Sequence, residues 1–592
     1  MKRYIKISFI ILLSVLLFST NCTKILDEQP RAAVTPDYFA TPGGVLGGIT
    51  GVYSDMRNLW GTEGFLNMVV GGTDEVLKGG SGNSNFFEYT IVNSEASSLW
   101  NIAYQDINTL NGVLQYGAST DLPDATRKQY LAQAKFLRAF WYFYLVQTYG
   151  EVPLHLEFIT LASAADSRTP IGGVFDQIIL DLTDASANLP AVPTAPFLGK
   201  AATSATAKYL LAKTYLTRGW SSAAQSGDFT NAYTICTDLI TNKATYGLDL
   251  WQNFASVIDK ANDYGKEVLF VIDHSNDLKY GEYTTGSNAS GNKENKSNFY
   301  FRPNYPTVNA NYPSTNPAGA NVMVRDVANG RPFIRVRPNG KYVINQAFAD
   351  RVNDTRWENT FQVAWIANNG AVVTPRGTLT PNIDTAIWTP PFEVTAARRS
   401  AFKGIIITPS GAPKNDPNSK NSWDPAVFPS MKKYDDPTRA QMNDASTRPF
   451  IMFKFSEVYL IAAEAAFKGG GTLQNAADML NILRTRAAYR SSYPAGQTLA
   501  SSIAAMTITP AQVSIDFILD ERSRELYGEY QRWWDLTRTK TLGSRIAAWN
   551  TVEANAKYIL SNPADAFMLR PIPQTQIDLV TQGPAFPQNP GY

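Results

Sequence analysis

The chain is short of the residue types on which most catalytic and metal centres are built. It holds two cysteines, Cys22 and Cys236, and two histidines, His155 and His274. Two thiols cannot make a disulfide framework. So few thiolates and imidazoles nearly exclude a metal site built on several His or Cys ligands. An all-oxygen Ca²⁺ site stays open, because Asp and Asn are plentiful; no other cofactor is indicated. No G-x-S-x-G elbow, phosphate-binding loop or H-E-x-x-H helix occurs. An excess of one charge is also missing: 53 basic and 51 acidic residues leave a formal net charge of +2. That balance gives no compositional support for nucleic-acid binding.

Aromatic residues, by contrast, reach 12% within a hydrophobic content of 44%. They are concentrated in Thr126 to Leu154, where Tyr130, Ala134, Leu137, Trp141, Tyr144 and Leu145 fall at helical spacing. Phe136, Phe140 and Phe143 widen the stripe, so this helix must be buried on most sides. Asp124 reads as its N-cap, Gly150 as its left-handed stop and Pro153 as a block to resumption.

The amino terminus reads as an export signal over residues 1–21. Lys2, Arg3 and Lys6 precede the apolar run Ile7 to Phe18, which is too short to span a bilayer comfortably. Ser19-Thr20-Asn21-Cys22 resembles a bacterial lipobox, although Asn21 departs from the usual small residue. Cleavage there would leave Cys22 acylated, and several acyl chains on one cysteine hold a protein firmly at a membrane. Asp27 and Glu28 resemble the acidic surface-export signals of Bacteroidetes lipoproteins.

Residues 22–592 read as one mainly α domain in three parts. Over 22–272, helices are expected from Pro42, at Trp100–Leu114, Ile171–Leu189, Ala205–Arg218 and Phe229–Asn242, followed by a buried strand at Glu267–Ile272. Trp100, Ala103 and Tyr104 sit at offsets resembling a tetratricopeptide unit. Over 273–449, Asn, Gly, Pro and Thr rise and long stripes vanish. Short strands such as Tyr342-Val343-Ile344 and Gly404–Ile407 are expected there. So long an irregular segment is usually functional. Helices are expected to return at Phe450 and to run, with an extended tail, through 450–592.

Five stretches resemble the SusD/RagB family of Bacteroidetes nutrient-capture lipoproteins. They are A-K-F-L-R-A-F-W-Y-F-Y-L-V-Q-T-Y-G-E-V-P-L ending at Leu154, E-V-Y-L-I-A-A-E-A from Glu457, and D-E-R-S-R-E-L…R-W-W-D-L-T-R from Asp520. The tail adds Leu569-Arg570-Pro571-Ile572-Pro573 and Gln588-Asn589-Pro590-Gly591-Tyr592. The resemblance implies a tetratricopeptide-like helical scaffold decorated by a large irregular insertion. It also implies capture of an oligosaccharide, or in some members a peptide. The captured ligand passes to a SusC-like TonB-dependent transporter, over which the protein closes as a lid at the outer face of the outer membrane.

The carboxylates of the Asp520 segment stand three and four residues from arginines, the spacing of an ion network on a helix surface beside Trp533 and Trp534. Glycoside hydrolysis needs two carboxylates held roughly 5–10 Å apart across a cleft, and nothing marks such a pair. His155 and His274 read as core-edge imidazoles and Cys236 as a buried, inert thiol. Sugar capture needs aromatic faces and amide, acid or arginine groups, but no metal or base. By location in the family, the ligand residues would be Asp74, Glu75, Trp100 and Asn101, with Tyr300, Tyr305, Tyr312, Trp357 and Trp388 as a wider pool from the insertion. The rival readings are a secreted glycoside hydrolase and a helical-repeat scaffold for a protein partner.

Overall fold

The stripes become helices that pack one on the next. The computed structural model describes residues 35–92, 95–275, 294–312, 319–410, 423–550 and 566–592. Cys22 and the export segment therefore lie outside the described residues. Helix α1 (Pro42–Asp55) is capped by the Thr41 side chain, which accepts from Gly44 N. Helix α2 (Glu63–Val70) follows, then α3 (Ser97–Gly117) and α4 (Asp124–Tyr149). Helices α5 (Ile171–Asn188), α6 (Ser204–Trp220) and α7 (Asp228–Thr241) complete the first part. After the insertion come α8 (Phe455–Ala465) and α9 (Leu473–Ala487). The contacts run α1 to α3, α3 to α4, α4 to α5, and on through α6, α7 and α8 to α9. Helix α7 thus meets α8 across the whole insertion, and the helical scaffold is continuous.

Helix α4 is the centre of this array. Phe136, Phe140, Trp141, Phe143 and Tyr149 are fully buried, each worth about 1.5–3 kcal/mol of apolar burial. Gly150 has φ +75°, and a Cβ there would stand 2.8 Å from Leu569 of the tail. The cap differs from expectation: Pro123 occupies the N-cap and Asp124 is already helical. The Asp124 carboxylate pairs with Arg127 in the first turn instead of capping a backbone N–H.

Strands are few and short: among the described residues there are four two-stranded sheets and one of three strands. Strand β1 (Val76–Lys78) pairs with β3 (Val336–Pro338), and β2 (Val268–Ile272) pairs antiparallel with β4 (Phe450–Lys454). The β2–β4 pair is the neck of the insertion. It packs on the aromatic core through Phe270 and Phe453, whose rings lie 5.5 Å apart. Phe450 therefore opens a strand, not a helix: an irregularity in the pairing between Ile451 and Lys454 lets both Phe450 and Phe453, three residues apart, be buried while the backbone bonds β2. Tyr342-Val343-Ile344 is also corrected. It lies in a helical turn, Gly340–Tyr342 continuing into Val343–Ala347. Here the Tyr342 hydroxyl donates to Asp520 at 2.9 Å, so tertiary packing overrides the β-branched preference. The Ile515–Thr539 stretch divides into α10 (Ile515–Leu526) and α11 (Arg532–Arg538), with Gly528 at φ +72° in the break. Helix α12 (Leu542–Trp549) follows. No described helix is long and apolar enough to cross a membrane.

Candidate functional site

The charged motifs and the accessible polar groups separate into two places. The motif charges are buried. Glu457 of α8 accepts from Lys213 at 2.9 Å and Arg522 at 2.7 Å, and from the Tyr209 hydroxyl. Glu464 receives Arg538 and the Trp220 indole N–H. Glu521 pairs with Arg356, Arg484 and Arg524, and Glu525 with Arg486 and Arg356. Arg522 also reaches Asp535 at 2.7 Å. The expectation of a helix-surface network is thereby overturned. The i, i+3 spacing found Glu521–Arg524, but α10 lies under the insertion and α8, so its charges meet partners from distant segments rather than water. Glu529 does not pair with Arg532; it accepts from Lys433 and Lys454 at 2.7 Å each.

Asp74 and Glu75 belong to this interior and not to a ligand face. Asp74 is fully buried and accepts from Arg532 Nε and Nη2 and from Arg545 Nε, all at 2.8 Å. Burial alone would raise its carboxyl, but the two guanidinium groups prevail and hold it near about 2. Glu75 is equally enclosed but stands 3.7 Å from Arg532. There burial prevails, and with the neighbouring Asp74 charge it pushes Glu75 up to about 7. Both carboxylates are out of a ligand's reach because the chain needed counter-ions for the arginines of α11 and α12.

Trp100 and Asn101 have a different fate. They line a cleft of about 410 Å³ together with Tyr104, Gln105, Asn108, His155, Asp166 and Gln576. Residues 100, 101, 104, 105 and 108 share one face of α3 by helical periodicity. The opposite wall is the loop after α4, and it is pinned in place. Asn108 Nδ2 donates to Ile159 O at 3.0 Å, and its Oδ1 accepts from Ile159 N at 2.7 Å. The Tyr142 hydroxyl donates to His155 O and accepts from His155 N. Asn111 donates to His155 O and Glu157 O, and is itself held by Arg138, which forks onto Asp181. The Tyr104 hydroxyl donates to Pro153 O at 2.8 Å. Burial keeps that phenol protonated far above its ordinary range.

Within the cleft, His155 Nε2 lies 3.2 Å from Asp166 Oδ1. Asp166 Oδ2 accepts from Gln576 at a long 3.4 Å, which leaves acceptor capacity toward the cavity. Asn101 and Gln105 are exposed, while Trp100 is only 3% exposed. Trp100 packs on Tyr149 and Phe586 and is mainly a wall. The half-buried Tyr104, 4.9 Å from Trp100, is the ring the cleft presents. Tyr104, Gln105, Asn108, His155, Asp166 and Gln576 were missed as a set. The helical offsets from Trp100 could have found the first three.

The wider pool does not converge on this cleft. Tyr300, Tyr305 and Trp357 are core residues at 2%, 0% and 6% exposure. Tyr300 and Tyr305 donate to the carbonyls of Gly61 and Gly330, and Trp357 packs on Phe361. Trp388 is half-buried between Arg398, Phe392 and Phe402, and Tyr312 lies beside Asp424. A larger groove of about 680 Å³ is floored by Phe175, Trp220 and Trp534. Two of its polar groups are already committed: Arg168 donates to three backbone carbonyls and Asn589, and Asn589 to Tyr149 O and Arg570 O. Among the described residues no group of three His, Cys, Asp or Glu is arranged to hold a metal ion.

Comparison with known proteins places these features in a family. The family model described as "SusD family" matches residues 219–592, and one described as "Starch-binding associating with outer membrane" matches 75–216. SusD-like protein P2 of Formosa agariphila is 26% identical, over all of both chains. A SusD homologue of Bacteroides thetaiotaomicron superposes with a TM-score of 0.66 at 20% identity, covering 95% of this chain and 99% of the other. Surface glycan-binding protein A of the same species, solved with laminarihexaose, gives 0.60 at 17% identity, covering 93% and 100%.

Proposed function

Since the chain belongs to the SusD family, we propose that it captures an oligosaccharide in the Tyr104 cleft and delivers it to a SusC-like TonB-dependent transporter. In this reading the protein is held at the outer face of the outer membrane by acyl chains on Cys22. The observation that carries the reading is the cleft itself: one presented ring, a fringe of amides and one carboxylate with spare acceptor capacity. That is the chemistry of a sugar, with C–H faces for the ring and hydroxyls for the amides. All of its named residues except Gln576 lie within the match to the starch-binding family.

The same inventory argues against turnover. Glycoside hydrolysis ordinarily uses a pair of carboxylates across the scissile bond, and among the described residues Asp166 is the one carboxylate lining the cleft. The motif carboxylates are enclosed in ion pairs. The affinity is expected to be modest, because ordering a flexible glycan offsets much of the stacking. Calorimetry on the chain beginning after Cys22, against a panel of oligosaccharides and peptides with product analysis afterwards, tests this. Binding of a glycan without new reducing ends supports capture. Turnover would reject it, and binding of peptides alone would move the ligand class.

A further inference from the structure

The charged groups around the cleft carry one step more, which rests on the glycan reading above. Among the described residues, the only side chains with a carboxylate or imidazole lining it are Asp166 and His155. They form a pair 3.2 Å apart, so the wall carries one negative charge when the imidazole is neutral and none when it is protonated. In neither state is it positive. Among the described residues no lysine or arginine lines the cavity. The arginine whose charge is felt at Tyr104 is Arg168. Its guanidinium already donates to the carbonyls of Glu151, Tyr149 and Pro587 and to Asn589.

Recognition of a carboxylated or sulfated sugar asks for the opposite arrangement. Such groups are held by free guanidinium or ammonium donors, in charge-assisted and often bidentate bonds. An uncharged sugar needs only acceptors and amides, and Asp166 can accept one or two hydroxyl protons without a counter-ion. We propose that the cleft selects uncharged oligosaccharides and turns away anionic ones, with Asp166 as the residue that sets this preference. Specificity here comes from repulsion as much as from attraction.

The test uses neutral hexasaccharides of β-1,3-glucose, α-1,4-glucose and β-1,4-mannose, each beside a counterpart whose C6 hydroxyls have been oxidised to carboxylates. Calorimetry is run at 20 mM and 150 mM salt on the wild type, Asp166→Asn and Gln105→Arg. The expected result is a neutral sugar that binds and an oxidised partner at least tenfold weaker. That gap should shrink at the higher salt, because exposed charges are screened. Asp166→Asn narrows the gap, and Gln105→Arg, at an exposed position, raises affinity for the oxidised sugar. Wild-type binding of an oxidised sugar as tight as its neutral partner overturns the selectivity while glycan capture stands. A gap unchanged in both variants removes Asp166 from the role. No binding of any sugar, neutral or oxidised, rejects the capture reading itself and this inference with it.

Discussion

Two polar regions of this molecule differ in composition and in how far their polar groups are already partnered. The interior network around α8, α10 and α11 joins carboxylates to arginines and lysines that come from distant parts of the chain. The cleft on α3 gathers amides, one imidazole and one carboxylate, and leaves part of their capacity open. A buried pair is completed by its own partners and holds the chain together. An incompletely partnered group in a concave site is available to a ligand. Charge density alone, therefore, does not single out a candidate site in this fold; the cleft is proposed on its unfilled hydrogen-bonding capacity.

Breaking the interior should give the largest effect. Glu457→Gln leaves Lys213 and Arg522 without their shared carboxylate, and loss of one partner from a buried pair costs about 3–5 kcal/mol. Urea unfolding should show that loss as a fall in midpoint with little change in slope. A midpoint within experimental error of the wild type would mean that the network is dispensable.

Glu75 sharpens the same contrast through pH. Its folded carboxyl is raised to about 7 from an ordinary value of 4.5. A raised carboxyl favours the folded state fully below 4.5, and that contribution is lost as pH rises to about 7. The span corresponds to roughly 3 kcal/mol. Glu75→Gln should flatten the stability profile over that window and stabilise the protein above pH 7. Asp74 runs the other way: its depressed carboxyl supports the fold above its ordinary 3.8 and loses that support as pH falls toward about 2. A Glu75→Gln profile that keeps the wild-type slope between pH 4.5 and 7 would show that another group titrates there.

Asn108 is the joint between the two regions' logics, since it holds the loop that carries one wall of the cleft. Asn108→Ala removes two hydrogen bonds to Ile159 and should cost about 1–2 kcal/mol. Glycan affinity should fall about tenfold as the loop loosens, read by calorimetry at a temperature where the variant is folded. The smallest effect on binding belongs to Trp388→Ala. This half-buried ring packs on Arg398, Phe392 and Phe402, far from the cleft residues in sequence. Glycan affinity should be unchanged; a marked drop would move the site to the insertion.

The scaffold was legible where apolar spacing decides the outcome. The α4 stripe could be read from periodicity, the strand ending at Ile272 from its apolar, β-branched run, and the helix from Phe455 from its resemblance to a family motif. Phe450–Lys454 could not, because the four-residue apolar run Phe450–Phe453 fits either a strand or a helix until its partner is known. Tyr342–Ile344 misled through its β-branched residues, since the force that shaped it was a contact with Asp520 far along the chain. The same holds for the site. Trp100 and Asn101 pointed to the helix face that lines the cleft, yet His155, Asp166 and Gln576 arrive from a loop and a tail whose closure over α3 has no local signal. Asp74 and Glu75 stand in a loop that reads as a surface element, and their burial depends on Arg532 and Arg545 more than 450 residues away.

The measurement that tests this division most directly is a paired one. Thermal midpoint and glycan dissociation constant are determined for two variants, Glu457→Gln and the double replacement Asn101→Ala with Gln105→Ala. The account predicts a lowered midpoint with retained affinity for the first, and an unchanged midpoint with affinity reduced tenfold or more for the second. The opposite pattern, with affinity lost on changing Glu457 in the folded protein and retained in the cleft variant, would contradict it.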